Sequence, residues 1–86
     1  MAPIGLIEDA RREVAALLAT EGLDDEDRRR AEALAAARLS LDPRSGEVRV
    51  NAGSGGFWRG TDGLRLLAAE LAARVRRERY RMGYRV

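Results

Sequence analysis

The chain is 86 residues long, carries 16 arginines and no lysine against 14 acids, and has neither cysteine nor histidine. Disulfides, thiol and imidazole catalysis and the usual zinc sites are therefore excluded together, and any metal would need oxygen ligands alone. A chain of this length is read as one domain over residues 1–86 with one thin core; 15 of its apolar residues are alanine, which sets helices close together and makes association with a partner a natural remedy.

Charge is unevenly spread. The first 32 residues hold nine acids against five arginines, net −4, and the remainder holds eleven arginines against five acids, net +6. Such polarity either recruits an anionic partner or lets the two ends of the chain face one another. The opening MAPIGLIEDA lacks a basic start and meets acids at Glu8 and Asp9, and the longest fully apolar run, Val14 to Ala19, is far short of a membrane span. The expectation is a soluble, cytoplasmic protein with no membrane partner.

In chain order, Ile7, Ala10, Val14, Leu17 and Leu18 recur at helical spacing and predict a first helix from Ile4 to about Thr20, ended by Gly22. Asp24 is placed to cap a second helix, DEDRRRAEALAAAR, running to about Ala37. It has acids in its first turn and a small-residue face of Ala31, Leu34, Ala35 and Ala37. The acidic run Asp24 to Asp27 lacks the alternation, glycine and terminal glutamate of a calcium loop, so capping explains it better than metal binding.

The period then falls to two. Leu39 and Leu41 alternate with Ser40 and Asp42, and Val48 and Val50 with Glu47 and Arg49, around the turn residues Asp42, Pro43, Ser45 and Gly46. This is a hairpin with one apolar face. A lone hairpin is marginal, so it must lie on the helices or join strands of another chain.

The stretch NAGSGGFWRGTDG follows. As a phosphate loop, Gly55 and Gly60 have the right gap, but Thr61 and Asp62 stand where lysine and a hydroxyl residue are needed. As a dinucleotide fingerprint, Gly53 and Gly55 fit and Trp58 replaces the third glycine. The better account is a hinge between strand and helix: glycines permit positive φ, Phe57 and Trp58 anchor the crossing, and Thr61 or Asp62 caps the next helix. The two aromatics either lid the core or fill a partner's pocket; Trp58 is read as the lid, with Phe57 the better candidate for exposure.

The third helix should start at Thr61 or Asp62, burying Leu64, Leu67, Ala68, Leu71, Val75 and Met82 and presenting a second stripe of Leu66, Ala69, Ala73 and Tyr80. Its end, RVRRERYRMGYRV, has six arginines and one glutamate interleaved with Tyr80 and Tyr84. That mixture suits phosphate contacts and base stacking, with Arg74, Arg77, Arg81 and Arg85 as candidate contacts. Arginines in the last turns of a helix also complement its dipole, and a solvated or internally paired face, or an acidic protein partner, explains them as well.

Catalysis has no equipment here. Ser40, Ser45 and Ser54 lack a histidine or lysine base, and Glu70 and Glu78 sit two helical turns apart on one helix. The expected architecture is α+β in the order ααββα. The expected function is a small non-enzymatic interaction module, subunit or regulator, without cofactor or metal. It would bind a protein partner or a second copy of itself as a homodimer through Phe57, Trp58, Leu66 and Tyr80. The alternative is a nucleic-acid binder using the arginine-rich helix.

Overall fold

A computed structural model describes residues 3–53 and 55–84, with the side chains of residues 3, 4 and 81–84 outside the description. The elements are α1 (Pro3–Ala19), α2 (Asp25–Ala36), β1 (Leu39–Leu41), β2 (Val48–Asn51), β3 (Phe57–Arg59) and α3 (Gly60–Tyr84). The fold is α+β, with a long final helix and one more strand than the sequence pattern predicts.

Each helix buries the face that its spacing marks. Ala10, Val14 and Leu18 of α1, Ala31 and Ala35 of α2, and Leu64, Leu67, Ala68, Leu71, Ala72 and Val75 of α3 form the core with Leu39 and Val50 of the sheet. Ala37 is exposed at the C-cap of α2, outside its expected apolar face. Met82, Tyr84 and Ser54 lie outside the described residues or side chains. Asp24 caps α2 by accepting from the Asp27 backbone N–H at 2.8 Å, satisfying one of the donors that a helix start leaves open.

The three strands form an antiparallel meander in the order β1-β2-β3. Leu39 faces Val50 and Val50 faces Trp58, so these three share one side of the sheet, packed on the core. Helix α1 lies against β1, and α3 against β2 and β3. Between β1 and β2, the Asp42 N–H donates to the Glu47 carbonyl and the Gly46 N–H to that of Asp42. Gly46, at φ 74°, takes the left-handed position that closes the loop.

The glycine stretch is corrected on two points. It joins strand to strand: the Ala52 N–H donates to the Gly56 carbonyl at 3.0 Å and that of Gly53 to Asn51 Oδ1 at 2.9 Å, closing a tight loop before β3. Helix α3 begins at Gly60, so Thr61 and Asp62 stand inside its first turn rather than at its cap. The Phe57–Arg59 strand escapes sequence reading because three residues between glycines are too few to display an alternation.

Candidate functional site

The face of the sheet opposite the core is built by the same alternation. Ser40 of β1, Arg49 and Asn51 of β2, and Phe57 and Arg59 of β3 point away from Leu39, Val50 and Trp58. Arg49 and Arg59 are directly opposite one another across β2 and β3. The Arg49 guanidinium lies 3.9 Å from the centre of the Phe57 ring, while its Nε donates to Ser40 Oγ at 3.3 Å. Phe57 is 45% exposed, so this is an aromatic ring held under a cation in open water.

Arg59 is anchored by Asp42 at 2.8 Å. The Asp42 carboxyl is held below its ordinary range, first by the Arg44 backbone N–H, then by the Ser45 N–H and by Arg59 and Arg49, against the opposing effect of burial. Arg49 and Arg59 were not singled out from the sequence. The signal was present in the alternation of VRVN, but FWR is too short to show it.

Trp58 packs against the core and is half-buried. Of the aromatic pair, Phe57 is therefore the exposed side chain. Leu66 and Tyr80 are 50% and 72% exposed, on the side of α3 turned away from Leu67, Leu71 and Val75. These residues do not converge on one site: Phe57 belongs to the open sheet face, and Leu66 and Tyr80 belong to the long helix.

Three of the four C-terminal arginines whose side chains are described are engaged. Arg74 pairs with Glu78 at 3.1 Å, and Glu78 also holds Arg30 of α2. Arg76 donates to the Glu21 side chain at 3.2 Å and to its carbonyl. Arg79 pairs with Asp24 and, at 3.1 Å, with Asp27, which is buried; the Asp27 hydrogen bond is the first cause of a raised Arg79 pKa. Arg77 makes no ion pair among the described residues. Arg85 and the Arg81 side chain lie outside them. The acidic and basic parts of the chain thus meet within the molecule.

A cleft of about 350 Å³ opens between α1, β2 and the start of α3. Leu6, Val48 and Leu64 supply apolar walls, and Asp9, Glu13 and Glu47 supply carboxylates. Such a lining repels phosphate and favours a cationic, partly apolar group. Among the described residues, no cluster of three or more acidic side chains is arranged to hold a metal ion, and no helix is long and apolar enough to cross a membrane. No protein-family model, curated protein or solved structure matches the chain.

Proposed function

We propose that the chain is a small non-enzymatic interaction module, acting in the cytoplasm, that binds a partner protein through the open face of its sheet. The observation that carries this reading is Phe57, a large apolar ring left in water beneath Arg49 and two residues from Arg59 on the same strand. A half-exposed aromatic on a sheet strand, with one guanidinium over its ring and a second on the same face, has the makings of an interface anchor. Its complement is an apolar pocket edged by carboxylates. The lack of imidazole, thiol and lysine amine in the whole sequence supports a non-catalytic role.

A second reading rests on the facing pair Arg49 and Arg59 beside that ring. Single-stranded nucleic acid uses the same combination, phosphates on cations and a base on an aromatic. On this reading the sheet replaces the arginine-rich helix as the contact surface, because it sets an exposed aromatic ring under Arg49, whose guanidinium makes no ion pair among the described residues, while Arg74, Arg76 and Arg79 are matched with carboxylates.

The test places a photo-crosslinking amino acid at position 57 in cells of the native host, with position 12 on α1 as control. An adduct specific to position 57 that contains protein and survives nuclease supports the partner-protein reading. An adduct destroyed by nuclease, with oligonucleotide binding that weakens steeply with salt, replaces it with the second.

A further inference from the structure

We propose that the outward face of α3 docks on the same face of a second copy of this chain, the two helices running antiparallel about a twofold axis at Ala73. This uses a surface separate from the open sheet face and does not rest on the reading above.

Leu66, Ala69, Ala73 and Tyr80 hold four of the five positions of a coiled-coil seam along the side of α3 opposite its buried residues, and Arg76, turned to Glu21, holds the fifth. The two large members are the exposed ones, and Ala69 and Ala73 between them are small enough to let two helix axes approach closely. Leu66 and Tyr80 lie at equal distances on either side of Ala73, seven residues each. A twofold axis at Ala73 therefore brings Leu66 against the partner's Tyr80, and the same contact recurs on the other side.

Charge selects the direction. The seam is flanked by Glu70 in its first half and by Arg77 in its second. Antiparallel pairing sets Glu70 beside the partner's Arg77; parallel pairing puts them on opposite sides of the seam and forfeits the ion pair. Arg77 has no ion pair among the described residues, and the Glu70 carboxylate, 41% exposed while holding Arg38, retains lone pairs for a second guanidinium. An isologous contact of this kind closes at two copies and leaves no open end. A single helix pair buries on the order of 1,000 Å², the lower end for specific interfaces, so association is expected in the micromolar range.

The native chain has no cysteine, which permits a directional test. Leu66→Cys and Tyr80→Cys are prepared separately, each checked for folding by circular dichroism, then oxidised alone and as a mixture. Sedimentation of the native chain over the micromolar range should show a monomer–dimer equilibrium, and the mixture should give the mixed disulfide while neither variant links to itself efficiently. Ala73→Glu, which sets two carboxylates face to face on the axis, should leave the monomer folded and abolish the dimer. A native chain that stays monomeric throughout the range overturns the proposal, as do self-linked products in preference to mixed ones, or a dimer that forms without crosslinking and tolerates Ala73→Glu.

Discussion

Arg38 and Glu70, 32 residues apart in sequence, are joined by two guanidinium–carboxylate hydrogen bonds, one of them 3.2 Å from Nη2 to Oε1. The Nε of the same arginine donates to the Asn51 carbonyl at 2.9 Å, and its guanidinium lies 5.9 Å from the Trp58 ring. One side chain, only 17% exposed, thus links the entry to β1, the end of β2, the tryptophan and α3.

Arg38→Lys keeps the charge and loses the planar fork, so it should not preserve this joint. We expect a loss of about 1–2 kcal/mol, moderated by the partial exposure of Glu70, and read as a fall in Tm of roughly 5–10 °C. Urea unfolding of Arg38→Lys and Glu70→Gln, singly and together, checks it: strongly non-additive losses are expected for groups in contact. Additive losses would show that the two side chains act independently.

Acid should unfold the protein through two carboxylates. Asp42 is held below its ordinary pKa chiefly by the Arg44 backbone N–H, and Glu70 by its hydrogen bond from Arg38. The unfolded chain therefore takes up these protons first as pH falls. Their stabilising contribution is complete above the ordinary carboxylate range, about pH 4, and is lost as pH drops through the lower native values. Thermal unfolding followed by circular dichroism should give a nearly constant Tm between pH 5 and 7, as an approximate window, and a decline below it. Asp42→Asn should lower Tm at neutral pH and flatten the acid limb.

Two helical glycines should respond in opposite directions to alanine. At Gly5 a Cβ meets nothing within 4 Å, so Gly5→Ala should stabilise α1 by up to about 1 kcal/mol through helix propensity alone. At Gly63 a Cβ would lie 3.0 Å from the Trp58 Cβ and 3.1 Å from its carbonyl carbon, so the packed Trp58 would have to give by a few tenths of an ångström. Gly63→Ala is expected to cost about 1–3 kcal/mol despite the same propensity gain. A rise in Tm for Gly63→Ala would place α3 farther from the strand.

Neighbouring aromatics should separate stability from binding. Trp58→Ala removes a side chain packed on the core and should cost about 2–4 kcal/mol, and native tryptophan emission should be blue-shifted. Phe57→Ala should cost no more than about 1 kcal/mol, largely its contact with Arg49, while weakening partner capture at least tenfold. Equal stability losses at both positions would mean that Phe57 is structural.

Much of this architecture is legible because short-range chemistry dictates it. The spacing of Val14 and Leu18, the cap at Asp24 and the shared face of Leu39 and Val50 each depend on a few neighbouring residues. Composition cannot distinguish a glycine loop between two strands from one leading into a helix, because both need positive φ; β3 was lost there. Arg38 was equally invisible. Nothing local separates it from fifteen other arginines, and its burial follows from Glu70, Asn51 and Trp58 converging only in the folded chain.

The ion pairs from Glu21, Asp24, Asp27 and Arg30 to the Arg76–Arg79 turn of α3 bear on how the chain is made. Synthesis delivers the acidic part first, and six core side chains, Leu64 to Val75, arrive with the last helix. A growing chain that has reached only β2 lacks the arginines that answer Glu21, Asp24 and Asp27 and the apolar surface that α3 lays against α1 and α2. Its net negative charge keeps it away from ribosomal RNA, so it should wait unfolded near the exit and condense in one step once α3 emerges. Nascent chains arrested before residue 60 should accordingly be digested by protease as readily as unfolded peptide.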